Sequence, residues 1–395
     1  MYALKLPLKL NNRERTLMAQ HAGFSRFVYN YGLALYKQVM DIKGGVTKKI
    51  SAIRKVLTNF TKKKPEFIWM NELSSRVYQN AFIALKNALT RFFKGLGEFP
   101  KFKRKRDKHC FTVDSSNGVV TIKTGNTIKI PTLGTFRLHE SVPFTCASQT
   151  FTVSRQADKW YVSFAIHAEK LPLNQHSVEK VGIDLGVKTF ATFSDGTTVK
   201  APASLLGAKI KLVKLQWRNR NKQLGDKPKR IPASNNAKKY FLQSAKLHAH
   251  IANIREDFLQ KLTTWISQTY KVIRIEDLNI SGMMANHKLA DAIGNLGFYE
   301  FRRQLTYKQP MFDTLVELVD RWFPSSKSCS ECGHVQAMKL SDRIFHCQGC
   351  ASVKCRDFNA SVNLKNAPPE KVRAACSELN DCGQEAADSP GGSSK

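Results

Sequence analysis

The chain has 395 residues, with 63 Lys+Arg against 31 Asp+Glu and a formal net charge of +32. A composition of 42% hydrophobic and 10% aromatic residues can bury a sizeable core, which excludes wholesale disorder. The charge exceeds what solubility requires and points to a polyanionic partner, with nucleic acid first, because each phosphate contact releases counterions. A basic membrane-surface protein would also need an amphipathic anchor or a lipidation signal. No apolar stretch reaches the length of about 18 residues that a membrane span needs. The opening MYALKLPLKL alternates instead of forming a signal-peptide core. Nine cysteines, four of them in C-x-x-C pairs, fit a reducing compartment and a metal site better than a disulfide framework. A cytoplasmic protein is expected.

In chain order, Leu4, Leu6, Leu8 and Leu10 alternate with polar residues or proline and predict a strand. From Asn12 the spacing becomes helical, through Leu17, Phe24, Phe27, Val28, Tyr31, Leu35 and Val39. A second amphipathic stretch carries Val77, Ala81, Leu85, Leu89 and Phe92, with Ser74 and Ser75 as caps, so residues 11 to about 96 form a helical unit. EFPKFKRKRDK (98–108) follows, with six basic residues and one acid in 101–108 and with Phe99 and Phe102 interleaved. Lys101, Lys103, Arg104 and Arg106 are candidate phosphate contacts, with rings available for stacking on bases.

Residues 111–168 read as strands. VVTIKTGNTIKIP predicts a hairpin around its Gly-Asn pair, and TFTVSRQADKWYVSFAI predicts another with a longer polar turn. Together with the first strand these would close a small β-barrel into which the helical unit is inserted. VGIDLGVKTFATFSDGTTVKA reads as three strands with an Asp-Gly turn at 195–196. A long helix is expected from about 204 to 270. Within it, residues 209–239 hold eleven Lys/Arg against the single Asp226. KVIRIEDLNI (271–280) is a strand, 295–320 a further amphipathic helix, and the Ser/Gly/Pro-ending segment from 367 a disordered tail.

Two constellations carry chemistry. Cys329-Ser-Glu-Cys332 and, fourteen residues on, Cys347-Gln-Gly-Cys350 provide four thiolates for one tetrahedral Zn²⁺, with a spacer long enough for a short hairpin and with Gly333 and Gly349 easing the knuckles. Four protein ligands leave no open position, so this is a structural zinc ribbon. The second is dispersed. Asp184 lies in the apolar strand VGID, Glu276 ends VIRIE and Asp357 opens RDFNASVNL. A carboxylate in a buried strand is costly unless it is paired or metal-bound. Brought together, the three acids would hold two Mg²⁺ ions for phosphodiester hydrolysis, as in an RNase H-like nuclease. Asp277 could equally serve in place of Glu276.

GFSRFVYNYGLALYK, SSRVYQNAFIALKNALTRFFKG with its EFPKFKRKR sequel, GIDLGVKTFAT, IREDFLQKLTTWI, IRIEDLNISGM, FRRQLTYK, FPSSKSCSECG and CRDFNASVNL occur in this order. The series resembles the TnpB (OrfB) family of insertion-sequence proteins from residue 1 to about 366. The resemblance implies a transposon-associated RNA-guided DNA endonuclease related to type V CRISPR effectors. Its implied fold is multidomain α/β, with a RuvC/RNase H-like nuclease domain at 179–322 and 356–366 and a zinc ribbon for target nucleic acid at 323–355. A β-barrel wedge domain at 1–10 and 107–178 would be interrupted by a helical recognition domain at 11–106, and 367–395 would be the tail. By position, Asp184, Glu276 and Asp357 match the three RuvC acids that bind catalytic Mg²⁺. The implied partners are a guide RNA from the element's own end and double-stranded DNA bearing a short adjacent motif, with no membrane, in a prokaryotic, nucleoid-associated setting. The sequence departs from the family pattern at Gln260 (commonly His), Asn295 (Asp), Ala351 (Gly) and Lys354-Cys355 (His-Asp). The rival readings are a repressor that binds without cutting and a transposase accessory protein.

Overall fold

A computed structural model describes residues 2–105, 109–166, 176–225, 231–285, 294, 296–339 and 342–375. The chain divides into two units, Met1–Glu169 and Lys170–Lys395. In the first, the Leu-alternating segment forms β1 (Tyr2–Leu8). Leu6 and Leu8 face the core, and the whole strand pairs with a later one, Tyr2 opposite Ile166 through Leu8 opposite Trp160. Asn11 then caps α1 (Asn12–Gln38), its side chain accepting from the Glu14 N–H while the Glu14 carboxylate accepts from the Asn11 N–H. α2 (Val46–Asn59), two 3₁₀ turns and α3 (Ser75–Phe93) follow. Met18, Phe24, Val28 and Leu33 of α1 pack with Val77, Ala81, Leu85 and Leu89 of α3 in one core.

The strands that follow are β2 (His109–Asp114), β3 (Val120–Ile122), β4 (Gly125–Ile130), β5 (Gly134–Val142), β6 (Cys146–Ser148), β7 (Thr150–Gln156) and β8 (Lys159–Ile166). Five of them join β1 in an antiparallel sheet of order β2-β7-β8-β1-β5-β4, while β3 and β6 form a separate ribbon. Among the described residues no ladder joins β2 to β4, so the expected barrel is not closed by hydrogen bonds. The expected Gly-Asn hairpin is corrected as well. β3 pairs with β6 and β4 with β5, and Gly125 (φ +137°) marks a register shift against β5 where a turn was expected. β7 and β8 do form a hairpin, but with a two-residue turn in which Ala157 takes φ +53°.

In the second unit, β9 (Val178–Leu185), β10 (Ala191–Phe193) and β11 (Thr198–Val199) form an antiparallel meander, with the Asp195–Gly196 turn where expected. The expected single helix is two, α4 (Ala203–Arg218) and α5 (Asn235–Thr269). Left-handed Gly225, Pro232 and the Ser234 cap on Ala237 N–H break it. After β12 (Tyr270–Glu276) and the short α6 (Ile280–Ala285) comes α7 (Phe298–Phe312), which stops well before residue 320. Pro310 lies in its last turn and Asp313 is left-handed at φ +55°. The short, mostly apolar segment that follows is β13 (Leu315–Val319), missed in the sequence.

A small hairpin, β14 (Ile344–His346) with β15 (Val353–Cys355), precedes α8 (Arg356–Lys365). β16 (Val372–Ala374) then adds to the edge of the sheet beside β13, so the chain is ordered past 367 and the expected start of the tail is corrected. Residues 376–395 lie outside the described residues. The sheet order is β11-β10-β9-β12-β13-β16, with β9, β12 and β13 parallel. Val181, Ile183, Ile273, Ile275, Val316 and Leu318 are buried at its centre. Near-continuous apolar runs of this kind are what central parallel strands covered on both faces require.

Candidate active site and zinc-binding cluster

β9 and β12 run parallel, with Gly182 opposite Arg274 and Ile183 opposite Ile275. One step on, Asp184 and Glu276 stand side by side at the C-terminal ends of adjacent strands. The two-residue repeat puts Gly182, Asp184, Arg274 and Glu276 on one face. That face carries α8. A Cβ at Gly182 would strike the Ser361 carbonyl and the Lys365 N–H and lie 3.0 Å from Lys365 Cα. Arg274 donates to the Lys365 and Ala367 carbonyls at 3.0 and 2.7 Å and pairs with Glu317 at 2.7 Å. One helical turn before Ser361 on the same face is Asp357, close enough for its charge to act on Asp184.

The electrostatics report the same convergence. Burial, then the charges of Asp357 and Glu276, push the Asp184 carboxyl up to about 8 against the opposing pull of Arg356. Glu276 is also raised, by burial and then by Asp277. Arg356 donates to Asp357 Oδ1 at 3.4 Å. The three carboxylates do not form a cluster as tight as the one described below, in which all donor atoms lie within 4.8 Å of one another.

Asp277, left open as an alternative, is placed differently. Arg302 reaches its Oδ1 at 2.7 Å, and Arg321 and Arg373 reach its Oδ2 at 3.1 and 2.8 Å. Burial opposes ionisation, but the hydrogen bonds from Arg373 and Arg321 and the charge of Arg302 outweigh it and hold the carboxyl below its ordinary range. Asp277 is therefore a neutralised structural anion, whereas Glu276 has no side-chain hydrogen bond or ion pair among the described residues. The arginines that separate the two lie far apart in sequence.

Cys329, Cys332, Cys347 and Cys350 form the one group among the described residues suited to a metal, with every pair of donor atoms within 4.8 Å. Four sulfurs with no carboxylate are a soft donor set that fits zinc. The Glu331 N–H points at Cys329 Sγ (3.5 Å), and the Gly349 and Cys350 N–H groups at Cys347 Sγ (3.3 and 3.4 Å). The N–H of Cys350 is the main influence holding the Cys347 thiol down at about 6, which favours the thiolate. The expected hairpin is present, but its turn is the second knuckle, not the spacer. Gly333 is left-handed as expected (φ +76°). Gly349 is needed for a different reason, since a Cβ there would come within 3.1 Å of His334 Cβ. The left-handed residue of the second knuckle is Ala351 (φ +59°). A side chain in that region costs about 1–2 kcal/mol, so Ala351→Gly should slow zinc release to a chelating dye by about fivefold or more.

A protein of Escherichia coli (strain K12), "Putative RNA-guided DNA endonuclease InsQ", is 31% identical over 400 residues, which cover 97% of this chain and 96% of its own length. The chain belongs to the TnpB (OrfB) family. A Streptomyces pristinaespiralis relative, "Putative RNA-guided DNA endonuclease", is 30% identical over 87% of this chain and 83% of its own. Three family patterns match in sequence: "Helix-turn-helix domain" at 2–41, "Probable transposase" at 163–287 and "Cas12f1-like, TNB domain" at 298–364. Among solved structures, that of a Cas12f1–sgRNA–target DNA complex aligns over 91% of this chain and 82% of its own at TM-score 0.52 and 14% identity, a likeness of fold. No helix among the described residues is long and apolar enough to cross a membrane.

Of the four basic residues singled out in this TnpB-family chain, Arg106 lies outside the described residues, as does Asn295. Lys101 is exposed and paired with Glu98 at 2.6 Å, and Arg104 is exposed. Lys103 is turned inward. The Asn30 side chain clasps its N–H and C=O, both at 2.8 Å, and its Nζ sits 3.9 Å from the Tyr29 ring centre. Phe99 packs against Phe92, which leaves Phe102 as the exposed ring. Lys101→Gln and Arg104→Gln should each lower the salt slope of nucleic-acid binding by about 0.7–0.9 if each meets a phosphate. Lys103→Gln should leave the slope unchanged and lower stability.

Proposed function

We propose that this chain is a transposon-associated, RNA-guided DNA endonuclease whose phosphodiester hydrolysis depends on Mg²⁺ at Asp184, Glu276 and Asp357. The observation that carries this reading is the gathering of three acids from distant segments onto one face. Asp184 is forced up in pKa by burial and by the charges of the other two, and Glu276 by burial and then by Asp277, while Asp277 itself is held ionised by three arginines. Acids held partly out of water and close to one another are costly to a fold and useful at a site that binds hard cations. The mixed sheet, an antiparallel meander followed by two parallel strands, supports a RuvC/RNase H-like nuclease domain. The split sheet around α1–α3 supports the wedge and recognition assignment of the first unit.

Bound Mg²⁺ would supply activation of water and stabilisation of charge on the leaving oxygen. The chain's own residues do the rest. β9 and β12 fix the two strand acids in register, α8 brings the third over them, and Arg356 restrains Asp357. A guide RNA from the element's own end would select the target by base pairing, and the protein would read a short adjacent motif on double-stranded DNA.

The test uses protein purified with transcripts of its native flanking region and a plasmid library carrying a matched target beside a randomised motif. RNA-dependent cutting next to a restricted motif is the expected result. Tight RNA-dependent binding with no cutting in either Mg²⁺ or Mn²⁺ would replace this reading with that of a repressor.

A further inference from the structure

The cysteine cluster and the acid site are joined by a pair of buried amides. Asn359 is fully buried and Asn363 nearly so, two and six residues after Asp357 on α8. Asn359 Oδ1 accepts from the Ser330 N–H at 2.9 Å, and its Nδ2 donates to the Ser328 carbonyl at 2.7 Å. Asn363 Nδ2 donates to the Ser325 and Ser328 carbonyls, both at 2.7 Å. Ser328 and Ser330 flank Cys329. Lys354, two residues before α8, adds a bond to Ser330 Oγ at 3.0 Å and an ion pair with Glu331 at 2.9 Å.

Packing alone would be served by apolar side chains here, and a buried amide is costly unless its bonds are made. These bonds are made, and three of the four go to the main chain on either side of Cys329, the fourth to Ser325 just before that knuckle. The knuckle is a loop whose shape depends on its thiolates sharing an ion. The opposite end of α8 is held by Arg274 through the Lys365 and Ala367 carbonyls. Loosening the knuckle therefore frees the end of the helix that carries Asp357.

We propose that Asn359 and Asn363 are positioning residues that couple zinc in the cysteine cluster to the placement of Asp357 over Asp184. The inference rests on the reading of the three acids as the Mg²⁺ site. Such coupling is reciprocal, so divalent cations at the acids must tighten zinc binding at equilibrium by the factor with which zinc tightens theirs.

The experiment uses the full chain with its RNA. Zinc release to a chromogenic chelator is followed with and without Mg²⁺, amide exchange is measured over 356–365 before and after zinc stripping, and cleavage is titrated with Mg²⁺. Asn359→Ala and Asn363→Ala should each speed zinc release and raise the half-maximal Mg²⁺ by about tenfold, with RNA affinity unchanged. Asn359→Asp, which keeps the acceptor for Ser330, should fall between Asn359→Ala and wild type. Stripped wild type should exchange faster across 356–365. Unchanged exchange after stripping overturns the coupling, as does faster zinc release in the variants at a wild-type Mg²⁺ requirement. If Asp184→Asn still cuts, the acid reading fails by itself, while the exchange measurement still decides the coupling.

Discussion

Asp184→Asn is expected to abolish cutting, by at least about 10³-fold, while making the metal-free protein more stable at pH 8. The two effects have one cause. In the folded chain burial and the charges of Asp357 and Glu276 push the Asp184 carboxyl up to about 8 from its ordinary value of 3.8. A group raised in this way holds its proton more tightly in the native than in the unfolded chain. Its contribution to stability is complete below about pH 4 and is lost as pH rises through about 8. The amide cannot ionise, so that loss disappears, and the metal-free unfolding midpoint at pH 8 should rise by about 2–4 °C.

The same proton competes with a divalent cation. Between pH 6 and 7 the wild-type Mg²⁺ requirement should fall by about tenfold, with the fall levelling off near pH 8. A variant that loses cutting and is also destabilised at pH 8 would show that Asp184 is a paired structural residue instead. An Mg²⁺ requirement flat from pH 6 to 8 would remove the proton competition.

Gly182→Ala removes nothing and should still cost about 10²-fold in cutting. The added methyl would fall on the helical rung between the Ser361 carbonyl and the Lys365 N–H, with Lys365 Cα at 3.0 Å. These are main-chain atoms, so no rotamer change relieves the contact. α8 must retreat from β9 by about 1 Å to restore ordinary separations, and Asp357 retreats with it. Overpacking of this kind typically costs about 1–3 kcal/mol, so the variant should fold and bind RNA while needing more Mg²⁺. Wild-type cutting at wild-type Mg²⁺ would mean that α8 does not set the site. Gly182→Ser should behave like Gly182→Ala, because the obstruction is at Cβ.

The strands bearing Asp184 and Glu276 were legible in the sequence because their apolar runs are short and end in acids. The cysteine cluster was legible because C-x-x-C spacing determines its own geometry. What could not be read was pairing between distant segments. Gly-Asn at 125–126 looks like a hairpin turn, yet β4 finds its partner in β5, and the glycine absorbs a register shift. The charge run 209–239 hid a break that Gly225 and Pro232 could have signalled. Lys103 reads as a phosphate ligand until Tyr29 and Asn30, far upstream in sequence, are seen to hold it. The choice between Glu276 and Asp277 needed Arg302 on α7, Arg321 in the turn after β13 and Arg373 on β16. The spacing Asn359-x-x-x-Asn363 was a signal available in the sequence, since two amides four apart on a short helix share a face.

The sheet edge formed by β16 bears on the order in which the protein is made. β13 leaves the ribosome with one edge unpaired, and Val372–Ala374, which covers it, is among the last of the described segments to be translated. Arg373 on that strand is also one of the three cations on Asp277, the residue next to Glu276. α8 arrives only shortly before. A nascent chain therefore carries Asp184 and Glu276 without either the helix that completes the site or the strand that closes the sheet. On the proposed reading, the acid site is a late product of translation, and an unfinished chain lacks the helix that carries Asp357.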